Sequence, residues 1–316
     1  MLRPFLFIYL AAMNTIDDVR LVFDETNLFY LNLSLGFIMF GVAINLRLED
    51  FTRILRNPKP VVLGLFSQFI LLPFLTFLLV ILSKPLPSLA LGMFLVAACP
   101  GGNISNFMVK MANGNTALSV SLTAFSSTLA VFATPLNMAI WASLYEPTSI
   151  LLRTVELDFW NLFRTIVIIL LIPVVLGMML RHYRPKIAKR IEPVMHYGSI
   201  LIFAAIVLLA FKANFHLFLE YVPLVALLVF SHNALALISG YQLARIGKLR
   251  VQDRRSISIE TGIQNSGLGL ILIFTFFDGL GGMAIVTAWW GIWHIVSGVS
   301  LASFWSKKAI LQSQTS

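Results

Sequence analysis

Ala97-Ala98-Cys99-Pro100-Gly101-Gly102-Asn103-Ile104-Ser105-Asn106 and Glu260-Thr261-Gly262-Ile263-Gln264-Asn265-Ser266-Gly267-Leu268-Gly269 are the two stretches whose reading decides the fold. Each lies inside an apolar run long enough to cross a bilayer, and each interrupts that run with helix breakers, amides and hydroxyls. Proline removes an amide donor and glycine favours non-helical dihedrals, so both runs read as discontinuous helices. Broken backbone at membrane depth is tolerated only where protein or a polar cavity satisfies it. The breaks are therefore expected to free backbone carbonyls into a buried polar space.

The rest of the chain is consistent with that setting. Of 316 residues, 58% are hydrophobic and 12% charged, and the mean hydropathy is +0.87. A soluble domain carries about 25% charged residues, so this composition excludes one and marks an integral membrane protein, all-α because every backbone amide in hydrocarbon must bond within its own segment and no alternating strand pattern competes. Apolar runs near 31–46, 60–82, 86–112, 116–141, 160–180, 194–211, 221–243, 256–278 and 283–305 read as nine helices. Phe5–Met13 is apolar but short, with acidic residues following at Asp17, Asp18, Asp24 and Glu25. It reads as a truncated tenth helix, as a segment before a nine-helix protein, or as a thin signal-peptide match around Arg3 and Ala11–Ala12.

The net charge of +9 raises a nucleic-acid reading that its distribution removes. Seventeen basic residues fall in connections on one side, from Arg47, Arg53, Arg56 and Lys59 through Lys110, the 181–190 and 245–255 clusters, to Lys307 and Lys308. Only Lys84, Arg153, Arg164 and Lys212 fall on the other, which places the first group and the C-terminus in the cytoplasm. The lone Cys99 excludes an intramolecular disulfide and a multi-cysteine metal site.

In ten-helix numbering the broken runs are the fourth and the ninth, five apart. An odd-numbered repeat enters its second copy from the opposite side, so two inverted five-helix halves are expected. Interrupted helices in corresponding positions of two such halves point to a secondary-transporter site. Glu260 is the only acidic residue deep in the apolar runs, where a carboxylate is costly and usually marks an ion or proton path. No Lys or Arg in a neighbouring run offers itself as a mate, which leaves a bound cation as counter-charge. Hard oxygens are plentiful at Gln68, Ser105, Asn106, Ser119, Thr123 and Gln264, with carbonyls near Thr261 and Ile263. Oxygen-only ligands suit a hard ion rather than zinc. A protonated Glu260 that simply ties two broken helices together, or one that exchanges a proton, fits the same residues.

From about Gly36 to Lys308 the chain resembles the bile acid:sodium symporter family. The resemblance rests on Phe40-Gly41, Ser67-Gln68-Phe69 ahead of Pro73, Cys99-Pro100-Gly101-Gly102, Ser105-Asn106, Gly114-Asn115 with Ser119 and Thr123, Glu260 through Gly267, and Trp293-His294. It implies a panel domain (about 1–56 and 157–215) and a core domain (about 57–145 and 216–308) that holds two crossing discontinuous helices. It also implies two Na+ sites and no organic cofactor. One site would comprise Ser105, Asn106, Ser119, Thr123 and Glu260; the other Gln68, Glu260, Gln264 and the carbonyls of Thr261 and Ile263. Asn103, Ile104, Asn265, Ser266 and His294 are the expected substrate contacts. Asn103 stands where the family often has threonine, and Ile295 where some relatives have asparagine after the histidine, so substrate identity is what these departures leave open.

His232 and His294 lack metal-ligand partners at helical spacing and read as buried, hydrogen-bonded residues, His294 keeping a substrate-facing role from the resemblance. Asn233 reads as helix packing, and Cys99 as a small packing residue. An intramembrane enzyme would need a paired acid, a metal set or a nucleophile with its base, none of which is visible. A channel would call for a filter repeated across subunits. The sequence therefore reads as a sodium-coupled symporter for organic anions, bile acids or small carboxylates, working by alternating access with two Na+ per monovalent anion. A proton-coupled carrier using Glu260 is the alternative. The partners are the lipid bilayer and the small-molecule anion, with no nucleic acid; protein partners are unspecified. Half-helix N-termini after Gly102 and near Ser266 offer a positive dipole end to the anion.

Overall fold

The computed structural model describes residues 58–102, 104–154, 167–213 and 215–314, with short pieces at 16–17, 33–34, 36–41, 43–44 and 164. Among these residues the elements are helices joined by short turns, with no strand; Gly101 and Gln264 form an isolated antiparallel bridge. Phe5–Met13 and most of the 31–46 run lie outside the described residues.

The first described span, α1 (Pro58–Ser83), carries a π-helical turn over Ser67–Leu71. The turn sits directly ahead of Leu72-Pro73, and a second π turn, Val167–Leu171, sits ahead of Ile172-Pro173. A widened turn accommodates the bond that a helix-interior proline cannot donate. In α1 it also places Ser67 and Gln68 side by side, both fully buried.

The run at 86–112 is two helices, α2 (Pro87–Ala98) and α3 (Ile104–Met111). Two helices follow, α4 (Thr116–Leu144), capped by Asn115 Oδ1 accepting from Leu118 N, and α5 (Glu146–Thr154). Beyond the second π turn come α6 (Ile172–Tyr183), α7 (Pro185–Ala213) and α8 (Phe215–Ile246). The run at 256–278 is likewise two helices, α9 (Val251–Gly262) and α10 (Ser266–Phe276), before the long α11 (Gly281–Gln314). Among the described residues four spans are long and apolar enough to cross a membrane: Pro58–Ser83, Thr116–Leu144, Val225–Ile246 and Gly281–Lys307. At about 1.5 Å per residue, α2 and α10 each reach only about half of a 30 Å hydrocarbon core, as half-spans must. The short helix α5 was not legible as an apolar run because Glu146, Thr148, Ser149 and Arg153 dilute it.

Half-spans form the centre. Every residue of α2 from Ser88 to Ala98 is buried, as is α10 from Ser266 to Phe274, whereas the long helices turn side chains such as Leu82, Leu227 and Ile238 outward. Lipid is as apolar as a leucine side chain, so such faces carry no penalty and association relies on close packing through small residues. Gly92 is one such contact: a methyl group there would fall 2.9 Å from Met283 Cα and 3.2 Å from Val286 Cβ. Gly92→Val should therefore force α2 and α11 apart and lower stability by about 1–3 kcal/mol. Thermal unfolding of the detergent-purified variant measures this, and an unchanged midpoint would contradict the close α2–α11 approach.

Candidate functional site

The two breaks are each other's hydrogen-bond partners. Gly102 N donates to Ile263 O at 2.7 Å and Asn265 N to Pro100 O at 2.8 Å, which makes the bridge at Gly101 and Gln264. Gly101 is required by space: a Cβ there would lie 2.7 Å from both Gln68 Nε2 and Glu260 Oε2. The carbonyl that closes each half-helix ahead of its break takes a donor from a long helix. Thr134 Oγ1 of α4 donates to Ala98 O at 2.7 Å, and Asn233 Nδ2 of α8 donates to Gly262 O at 2.8 Å. Asn233 Oδ1 in turn accepts from Ser297 Oγ of α11 at 2.6 Å.

The carbonyls that the second break releases from helical bonding meet partners at the crossing. Ile263 O is taken by Gly102 N, and Thr261 O accepts from Gln264 Nε2 at 2.8 Å. Each is pinned in place and keeps its second lone pair. Thr261 is further fixed by Ser67 of the π turn, whose hydroxyl lies 2.8 Å from Thr261 Oγ1.

Around the crossing, oxygen atoms converge on Glu260. Its Oε1 accepts from Ser105 Oγ at 2.5 Å, from Ser119 Oγ, and from Thr123 Oγ1 at 3.2 Å, with Thr123 also 3.1 Å from Oε2. Ser119 Oγ lies 2.8 Å from Asn106 Oδ1 as well, so one hydroxyl proton faces two acceptors. On the other side Gln68 Nε2 donates to Glu260 O at 2.8 Å. Gln68, Ser105, Ser119 and Glu260 are fully buried. The side-chain carbonyl oxygens of Gln68 and Gln264 are buried with no hydrogen-bond partner among the described residues. The ion pairs among those residues are Arg181–Glu192 and Arg250–Asp253, and neither involves Glu260. A buried carboxylate with surplus oxygen lone pairs around it and no basic mate among the described residues suits a hard cation. Among the described residues no three His, Cys, Asp or Glu side chains are gathered so that they could hold a metal ion.

The expected substrate contacts are less closely gathered. Asn103 lies outside the described residues. Ile104 opens α3 partly exposed, and Ser266 is buried where α11 leaves room at Gly291, whose Cβ would fall 2.7 Å from Ser266 Oγ. Asn265 caps α10, its Oδ1 accepting from Leu268 N at 3.0 Å, so this helix end is partly satisfied from within. His294 is buried on α11 and no hydrogen bond among the described residues joins its ring to that group. His232 is hydrogen-bonded as expected, with Nε2 2.7 Å from Thr76 Oγ1 and its ring 4.7 Å from that of Trp290. Cys99 is buried. The sequence reading gives Thr134 no place and names Ser67 only within the Ser67-Gln68-Phe69 motif, without a role; a hydroxyl at mid-span beside Pro135 and a serine beside Gln68 are their only signals.

Crossed half-helices around a buried carboxylate within an apolar helical chain define a membrane transporter. The chain belongs to the Sodium Bile acid symporter family, whose model matches residues 32–221. It is 34% identical over 280 residues to an uncharacterized sodium-dependent transporter, YocS, of Bacillus subtilis, a match covering 88% of this chain and 84% of that protein. It is 32% identical over 271 residues to the probable chloroplastic sodium/metabolite cotransporter BASS1 of Arabidopsis thaliana, covering 86% of this chain and 65% of that protein. A similar protein of Oryza sativa, the probable sodium/metabolite cotransporter BASS2, is 30% identical over 90% of this chain and 65% of its own length. The chain is thus an integral membrane protein of a sodium-dependent transporter family, and not an enzyme.

The carbonyl caps give a direct check on this geometry. Thr134→Val keeps the side-chain volume but leaves Ala98 O buried without its donor, a loss of about 1–3 kcal/mol. Thermal unfolding should show that loss for valine and little for Thr134→Ser; equal midpoints for valine and wild type would contradict the cap.

Proposed function

We propose that this chain is a sodium-driven symporter for small organic anions that binds two Na+ on either side of Glu260. Ser105, Asn106, Ser119, Thr123 and Glu260 form one site. Gln68, Glu260, Gln264 and the carbonyls of Thr261 and Ile263 form the second. The observation that carries this reading is the convergence of three hydroxyls on the Glu260 carboxylate without a basic partner. The two orphaned glutamine oxygens support the second site.

The helices are taken as two inverted five-helix repeats, nine or ten spans in all, divided into a panel and a core domain, with the C-terminus cytoplasmic. The anion docks at the crossing near Asn103, Ile104, Asn265 and Ser266, with His294 behind them. Relatives named as sodium/metabolite cotransporters support a small metabolite, for which a small carboxylate is the proposed anion, and the family name keeps bile acids as the other class. Rocking of the core against the panel then exposes the loaded site to each side in turn.

Charge arithmetic supports the stoichiometry. One carboxylate and two Na+ leave a single positive charge, which a monovalent anion neutralises, so the loaded site crosses a low-dielectric region at smaller cost. If the empty carrier returns with Glu260 ionised, one net positive charge enters per cycle, worth about 2.3 kcal/mol per 100 mV. In proteoliposomes with a valinomycin-imposed inside-negative potential, labelled anion uptake should require external sodium and accelerate with voltage, and Glu260→Gln should abolish it. Uptake driven by a pH gradient without sodium, or sodium-dependent uptake in Glu260→Gln, would overturn the proposal.

A further inference from the structure

Outside the crossing, α8 and α11 leave a groove of about 450 Å³ between them. Two aromatic pairs bracket it. Phe230 and Trp293 meet at 5.5 Å at one end, and Tyr241 stacks on Trp305 at 5.7 Å at the other. These pairs are eleven residues apart along α8 and twelve along α11, which at 1.5 Å per residue is about 17 Å. That matches one leaflet, half of a hydrocarbon core about 30 Å thick. Between the brackets the apolar lining is Ala234, Leu237, Ile238 and Leu301, and the polar lining includes Asn233, Ser258 and Ser297.

Apart from Asn233, which lines it and also caps Gly262 O, the groove faces away from the crossing. α11 turns Gly291 toward Ser266 and Gly298 toward Met108 and Ile263, while Trp293, Ser297 and Ser300 line the groove on another face of the same helix. Its α8 wall includes Phe230 and Ile238, both exposed, on a span of membrane-crossing length and apolarity. The hydroxyls of Ser258 and Ser297 are already used: the first donates to Leu237 O and the second to Asn233. An occupant along this length need bring no polar group.

The two ends differ in charge. Arg245, exposed, follows Tyr241 by four residues and so continues the groove's stripe on α8. Along the chain Lys248 and Arg250 follow Arg245, Arg250 being paired with Asp253, and the exposed Lys307 follows Trp305 by two residues; this is the basic side of the membrane by the charge count, whereas neither stripe carries a charged residue near Phe230 and Trp293. Aromatic rings at the headgroup level, basic groups beyond them and an apolar slot one leaflet deep match the profile of an anionic phospholipid of the cytoplasmic leaflet.

We propose that an anionic phospholipid binds here, one acyl chain lying between the aromatic pairs and its phosphate against Arg245. Its chain would then press on Asn233, the residue that caps the half-helix carbonyl at Gly262. The test titrates phosphatidylglycerol and, separately, phosphatidylcholine onto delipidated full-length protein in detergent, with adducts counted by native mass spectrometry. One tight phosphatidylglycerol adduct is expected, with phosphatidylcholine clearly weaker. Ala234→Trp, which fills the slot, should remove the adduct. Arg245→Gln, at an exposed position where folding is not at stake, should weaken it about fivefold, the worth of one basic group near an anionic surface. Equal binding of the two lipids, an adduct unaffected by both variants, or displacement of the lipid by a bile acid competing for the slot would overturn the proposal.

Discussion

Everything in the centre of this protein depends on two backbone hydrogen bonds, Gly102 N to Ile263 O and Asn265 N to Pro100 O. A helix interrupted in hydrocarbon leaves polar groups that nothing in lipid can satisfy, at several kcal/mol each. Neither break is tolerable alone. Crossing them lets each interruption fill the other's vacancies, and the donors from Thr134 and Asn233 complete the account at the half-helix ends. Stability and function are joined at this point, because the same crossing brings Ser105 of one half to the carboxylate of Glu260 in the other.

The site is consequently built on rigid elements. Glu260 lies two residues before the end of α9, Ser105 in the first turn of α3, and Ser119 and Thr123 one turn apart on α4. Gln68 is presented by a π turn whose cause is the proline five residues on. Sodium and anion would meet on groups that are held by backbone bonds from several helices, an arrangement suited to moving as one body. The glycines belong to the same logic: with Gly101 enlarged, Gln68 and Glu260 could not approach the bridge.

Much of this was legible in the sequence because membrane constraints are severe. Broken spans announce themselves when Pro-Gly-Gly or Glu-Thr-Gly-Ile-Gln-Asn interrupts an apolar run, and a deep Glu without a basic mate points to a cation. The family resemblance assigned the surrounding oxygens, and the structure places Ser105, Ser119, Thr123 and Gln68 on Glu260. What escaped was pairing between distant residues. That Ile263 O and Thr261 O would be engaged, that Asn265 would cap its own helix, and that Thr134 would serve Ala98 depend on which helices touch, and hydropathy carries no such information. The polar, nine-residue α5 was missed for the opposite reason, since it is neither apolar nor long.

The central claim is that the oxygen cluster on Glu260 binds sodium, and equilibrium binding of radioactive sodium to the purified protein without any organic substrate tests it most directly. The account predicts saturable binding of two Na+ per chain that potassium does not displace, with one of them lost when Ser105 and Ser119 are both replaced by alanine. No saturable sodium binding, or binding unchanged in that double variant, would contradict it.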